Sequence, residues 1–139
     1  EDSELDEAAF SSAEKQFVAN NSDQAIRQYE KYLQDYPNGQ RAMDAHFYLG
    51  QLYFGKDDFD QTIPHYKYVI NKERSEFTEQ ALARLGQVYL SKRNYTDAIP
   101  VLERLEKESD IPQNTIFAQS NLMKSYYELK ITQLKVMHR

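Results

Sequence analysis

Residues 42–70, AMDAHFYLGQLYFGKDDFDQTIPHYKYVI, decide the fold. Leu49, Gly50 and Tyr53 share one helical face, and Lys56-Asp57-Asp58 breaks the pattern with a polar turn. Thr62, Ile63 and Tyr66 then resume it, so the stretch reads as two amphipathic helices joined tightly. Phe47 and Phe54 give the first of these helices a second apolar face.

The same unit recurs outward along the chain. Ala13, Gly50, Gly86 and Met123 are spaced 37, 36 and 37 apart, and Ala25, Thr62 and Ala98 are spaced 37 and 36. In the first three units one small residue precedes the other by 12, a register that chance does not hold through three copies. Glycine inside a helix costs about 1 kcal/mol relative to alanine, so Gly50 and Gly86 imply a partner helix pressed close against the bare backbone. Asn21, Asp58 and Asn94 stand at one equivalent position before each second helix, where a side-chain oxygen can cap free amides. Pro64 and Pro100 also share a position, early in their helices, and read as tolerated bends. Each unit is a helical hairpin that cannot bury its faces alone and must stack on the next.

Phe10, Ala13 and Phe17 place a helix at the start of the chain, behind five acids in the first seven residues. A solvated first turn at the positive end of a helix accounts for those acids better than a docking tail for a basic partner. At the other end ITQLKVMHR, residues 131–139, is helical in pattern but has no clear turn before it. The expected fold is all-α, a right-handed α-solenoid of stacked hairpins with seven to eight helices in a single domain. Its repeats cover about 6–42, 43–78 and 79–115, with a partial or degenerate copy over 116–139.

Composition narrows the function. The hydrophobic and charged fractions, 40% and 28% of 139 residues, suit one domain with a continuous core rather than disorder. A formal charge of -5 without a basic stripe argues against nucleic acid. The absence of cysteine removes disulfides, thiolate catalysis and cysteine zinc sites, and leaves the compartment open. No apolar run is long enough to span a membrane, and no charged-then-apolar signal opens the chain, so the start at Glu1 reads as a processed boundary.

The small residue with Tyr three later, the turn, and the Ala/Thr-Ile pair with an aromatic or Leu three later resemble the tetratricopeptide repeat family, as does Pro37 closing the first unit. The resemblance covers about residues 6–114, plus the first helix of a fourth repeat. The phrases YLQDYPNGQRAMDAHFYLGQLYF and AIRQYEKYL are most similar to bacterial envelope members, those associated with Tol-Pal and with outer-membrane assembly. It implies a periplasmic or outer-membrane-associated protein, with the cytoplasm still open. The sequence departs from the family pattern at His46, Gln16 and Thr62, where Trp, Tyr and Ala are usual. Met123 and Lys135 depart in the fourth repeat, which should therefore pack loosely or end the stack.

The resemblance also implies that first helices line a concave groove for a protein or peptide partner. Carried onto this chain, the groove positions are Phe10, Glu14 and Phe17, then Phe47, Gln51 and Phe54. They continue with Ala83, Gln87 and Leu90, and then Ser120, Lys124 and Tyr127, with Arg84 and Lys124 as the nearby cations. Aromatics offer rigid contact area and glutamines paired donors and acceptors, but filling the joints between adjacent first helices is the simpler role for Phe47 and Phe54. The Lys/Asn/Arg set with which some members clamp a peptide carboxylate is missing. A glycan-handling role, favoured by abundant Tyr but not by the lack of Trp, and a structural or self-associating repeat segment are the alternatives.

Enzymatic chemistry has little support. His46 sits at a packing position, His65 follows Pro64 on an expected surface, and His138 is terminal, so none is placed for a catalytic triad. Asp57, Asp58 and Asp60 lack the calcium-loop spacing, and the glycosylation patterns at Asn20 and Asn94 coincide with capped turns. No phosphate loop occurs. The expectation is a non-enzymatic scaffold with no cofactor and no metal, with homo-oligomerisation left open as a further partnering mode.

Overall fold

The protein is described by a computed structural model over residues 2–138. Its elements are α1 (Asp2–Val18), α2 (Ser22–Asp35), α3 (Ala42–Gly55), α4 (Phe59–Asn71), α5 (Thr78–Ser91), α6 (Tyr95–Glu108) and α7 (Pro112–Met137). Among the described residues every regular element is a helix, and there are seven rather than eight. The final stretch simply prolongs α7, because no glycine or proline interrupts the chain between Pro112 and Met137.

Two compact units divide the chain, Glu1–Lys72 and Glu73–Arg139. In the first, α1 packs on α2, α2 on α3, and α3 on α4. Its core gathers Phe10, Ala13, Ala25, Tyr29, Tyr32, Ala45 and Leu49. In the second, α6 packs against both α5 and α7. Leu82, Leu85, Val88, Leu102 and Leu105 are fully buried there.

The repeated small residues sit where helices touch. A Cβ on Gly50 would lie 2.5 Å from the Tyr66 ring of α4, and one on Gly86 would lie 3.0 Å from Leu102 of α6. Thr62, fully buried in the equivalent slot of α4, turns its hydroxyl back to the Asp58 carbonyl at 3.0 Å. The residue meets its own hydroxyl group's need without opening the helix pair.

The hairpin turns also repeat. Asn20, Asp57 and Arg93 all adopt the left-handed conformation, with φ of 62°, 58° and 56°. Asp58 and Asn94 then cap α4 and α6 by accepting from the Gln61 and Asp97 amides at 3.4 and 3.2 Å. The cap expected at Asn21 is not made; its side-chain nitrogen donates to Gln16 Oε1 at 2.9 Å, and its oxygen accepts from no α2 amide. Pro64 and Pro100 lie inside α4 and α6 on exposed faces, and both helices run through them.

Between hairpins, buried carboxylates fix the chain. Asp6 on α1 accepts from the Tyr32 hydroxyl and, at 3.0 Å, from the Gln40 amide, while the Tyr32 oxygen accepts from the Arg41 amide at 3.0 Å. Gly39 is needed there, since a Cβ would run into both the Tyr32 hydroxyl and the Asp6 carboxylate. Glu79 on α5 holds the α6–α7 turn more fully. It accepts from Ser109 Oγ at 2.6 Å, the Asp110 and Ile111 amides at 2.9 and 3.2 Å, and Asn114 Nδ2 at 2.8 Å. Burial by itself would raise its pKa, but the four donors outweigh that and hold the carboxyl below its usual range. Arg74 adds a cation 3.8 Å from Glu79, 3.3 Å from Glu108 and 3.1 Å from Asp110.

Gly50→Ala is expected to cost about 1–2 kcal/mol, because overpacking against Tyr66 exceeds the gain in helix propensity. Gly55→Ala, with nothing within 4 Å of its Cβ, should instead gain about 0.5 kcal/mol; urea titration of both variants reads the opposite signs. Glu79→Ala strands the two turn amides and should cost about 2–3 kcal/mol, whereas exposed Glu76→Ala should stay within about 0.5 kcal/mol of wild type in the same titration.

Candidate partner-binding groove

The expected groove residues separate into those that reach a surface and those that do not. Phe10 is fully buried, with its ring 5.7 Å from both Tyr29 and Tyr32 and the Arg41 guanidinium 4.0 Å above it. Phe47 is 3% exposed and packs at 5.8 Å from Tyr48 and 6.0 Å from Tyr66. Both are corrected from ligand contacts to core residues, because neighbouring rings cover them. Phe17, 5.0 Å from Tyr48, is half-buried, as are Glu14, Gln51 and Phe54, the last 5.8 Å from Phe59.

A better-formed concavity lies between α5 and α7. It encloses about 290 Å³ and is lined by Gln80, Ala83, Arg84, Gln87, Ile111, Asn114 and Phe117. Three of the expected groove residues, Ala83, Arg84 and Gln87, meet here, while Leu90, Ser120, Lys124 and Tyr127 fall outside. Gln80 and Gln87 are exposed at the rim, one turn either side of Ala83 and Arg84. Ile111 and Phe117 supply an apolar wall, and the hydrogen bond from Asn114 Nδ2 to Glu79 fixes how that amide faces the groove. One guanidinium, three side-chain amides and an apolar floor make a surface suited to polar backbone and an acidic side chain.

Sequence reasoning missed Gln80, Ile111, Asn114 and Phe117 as lining residues and Glu79 as the group that orders them. One signal was present: Asp6 and Glu79 are 73 residues apart, two repeat lengths. The intervening repeat carries Met43 at that position, which hides the column.

A second polar cluster lies across α2, α3 and α4. His46 Nδ1 and His65 Nδ1 are 2.9 Å apart, His65 Nε2 lies 3.4 Å from Glu30 Oε1, and the Tyr53 hydroxyl donates to the same Glu30 oxygen at 3.0 Å. With the His65 Nε2 proton directed at Glu30, the short contact is satisfied by a proton on His46 Nδ1. His46 also stacks on Tyr68 at 3.8 Å and His65 on Tyr53 at 5.8 Å. His65 is therefore not the surface residue its neighbour Pro64 suggested; its side chain is 12% exposed. No nucleophile joins this relay, and among the described residues no group of three or more side chains is placed to hold a metal.

Burial and the neighbouring His65 push the His46 pKa down to about 4, and burial lowers that of His65 although Glu30 opposes it. The unfolded chain, with both imidazoles near 6.5, then binds more protons than the folded chain between those values. Folding stability is complete above about pH 6.5 and falls as the pH drops toward 4. Discounted for the solvent that reaches His46, the loss by pH 5 is about 1 kcal/mol. Thermal unfolding at pH 7 and pH 5 should show the midpoint falling by a few degrees, and His46→Gln/His65→Gln should remove most of that fall.

The tetratricopeptide repeat family model matches residues 10–75. No curated protein matches the sequence. Among solved structures 29 chains match. One is the crystal structure of yeast Tom70, with a TM-score of 0.76 at 15% identity. That alignment covers 99% of this chain and 27% of the Tom70 chain, so this chain spans only part of that protein's length. The likeness concerns the fold. It indicates no enzymatic family, and it does not single out the bacterial envelope members. The chain is built on the tetratricopeptide-repeat fold and carries, over residues 10–75, a match to the repeat family itself.

Proposed function

We propose that this chain is a non-enzymatic scaffold that holds an extended segment of a partner protein in the groove between α5 and α7. The observation that carries the reading is the concavity in which Arg84 and the amides of Gln80, Gln87 and Asn114 surround the apolar wall of Ile111 and Phe117. An extended peptide has unpaired backbone donors and acceptors at regular intervals, which the amides can meet. Arg84 favours an acidic side chain at the centre of the bound segment. In this reading residues 1–139 form a single repeat domain, and the half-exposed Phe17, Gln51 and Phe54 belong to a separate surface of the first unit. No helix of the described residues is long and apolar enough to cross a membrane.

We place the scaffold in a bacterial cell envelope, periplasmic or associated with the outer membrane. The support is the wording of its second and third helices, AIRQYEKYL and AMDAHFYLGQLYF, and fractionation of source cells with an antibody to the chain would test it. Recovery in the cytoplasmic fraction alone would remove the envelope assignment.

The groove is tested by selecting binders from a random-peptide display library and titrating the strongest by fluorescence anisotropy. Acidic peptides should dominate. Arg84→Glu should weaken them at least about tenfold, the loss of one charge-assisted contact, while Glu103→Ala on α6 leaves binding unchanged. Equal enrichment by wild type and by Arg84→Glu/Gln87→Ala would rule the groove out.

A further inference from the structure

Helix α7 is apolar on two opposite sides. Ala118, Leu122 and Ser125 are buried on the side packed against α6. Half a turn round the helix, Ile116, Met123, Tyr127 and Leu134 form a straight row at 62%, 76%, 63% and 41% exposure. An amphipathic surface helix needs only the first side, so the second is unexplained by the fold as it stands.

The repeat shows what belongs on that row. Met123 is the counterpart of Gly50 and Gly86, and both of those glycines lie under the helix that follows them, Tyr66 of α4 in one case and Leu102 of α6 in the other. The equivalent surface thus takes a helix in the α3–α4 and α5–α6 hairpins. At α7 the slot holds a long flexible methionine instead of glycine, which prevents the close approach seen inside the chain and adapts to a helix seated further out. Charge narrows the occupant. Lys124, Lys130 and Lys135 are exposed along α7 and Glu128 is its only acid between residues 112 and 137. Two copies facing each other through this helix would oppose like charges, so the row suits an acidic partner better than a second copy.

We infer that the Ile116–Met123–Tyr127–Leu134 row of α7 is a docking surface for an acidic amphipathic helix of a partner protein, seated where a following helix covers α3 and α5. This site is separate from the α5–α7 groove and does not depend on it. Tyr127, expected from the sequence in the groove, belongs to the docking row.

A helix of the required kind is already at hand as a probe. Helix α6 packs on α5 over the Gly86 position and carries four acids, Asp97, Glu103, Glu106 and Glu108, against two bases, Arg104 and Lys107. A fluorescein-labelled peptide of residues 94–109 would be titrated into the full chain. Saturable binding is expected, weakened at least tenfold by Met123→Glu/Tyr127→Glu, weakened three- to tenfold by Lys124→Glu/Lys130→Glu, and unchanged within twofold by Arg84→Glu. All the substituted α7 side chains are exposed, so circular dichroism should confirm that these variants keep the fold. A peptide with Leu102→Ser and Leu105→Ser should not bind. Absence of binding at millimolar chain overturns the inference, as does equal binding by Met123→Glu/Tyr127→Glu and wild type. So does binding of the chain to 3:1 phosphatidylcholine–phosphatidylglycerol vesicles through the same residues without peptide binding, which would make the row a membrane face. Sedimentation showing a dimer that Met123→Glu dissociates, with no peptide bound, would assign the row to self-association instead.

Discussion

A carboxylate can enter a protein interior only if donors replace the water it leaves. Glu79 meets that condition with four donors, all drawn from the chain between Ser109 and Asn114. The turn between α6 and α7 therefore has one available position, and the groove follows from it. Ile111 stands at the groove mouth because its amide is held, and Asn114 presents a fixed amide because its nitrogen is engaged. Apolar packing of α7 on α6 is non-directional and would tolerate a slide along the helix axis. The hydrogen bonds to Glu79 do not. Asp6 performs the same service at Gln40 and Arg41, with the Tyr32 hydroxyl as an intermediary.

Much of this fold could be read before any coordinate was known, because the physics that makes a hairpin acts on residues close in sequence. The glycine slots at 50 and 86, the caps at Asp58 and Asn94 and the hairpin turns all depend on neighbours within one repeat. Reading failed where a distant or competing partner decides. Asn21 has the right type and position for a cap, yet its side chain bonds Gln16 and its oxygen accepts from no α2 amide. Phe10 and Phe47 are expected at a groove, yet spacing cannot say how far adjacent rings cover a side chain, and both are buried. His46 and His65 each looked ordinary. Their 2.9 Å contact exists only because α3 and α4 fold back on one another.

The buried acids illustrate a subtler limit. A repeat is legible when each copy keeps the same residue at the same place, and Asp6 and Glu79 do so with Met43 between them. The chemistry explains the gap: Met43 has no acceptor to offer, and Ser75 and Thr78 instead bond within their own turn, the Ser75 amide donating to Thr78 Oγ1 at 2.8 Å. One structural demand, holding the chain between hairpins, is thus met by two unrelated devices. Sequence comparison between repeats detects shared residues and misses shared tasks.

Departures from the repeat can therefore be sorted by whether the structure compensates them. Thr62 replaces a small apolar residue and is compensated by its own bond to Asp58. Met123 replaces glycine and is not, since among the described residues its side chain stands 76% exposed. Exposure of one methionine at a helix surface is unremarkable. Four apolar side chains aligned opposite an already buried face are different, because they lower solubility without contributing to this chain's own core. Their alignment has a physical use only when something apolar is laid along it, and the lysines beside them set the sign of the charge that helix should carry.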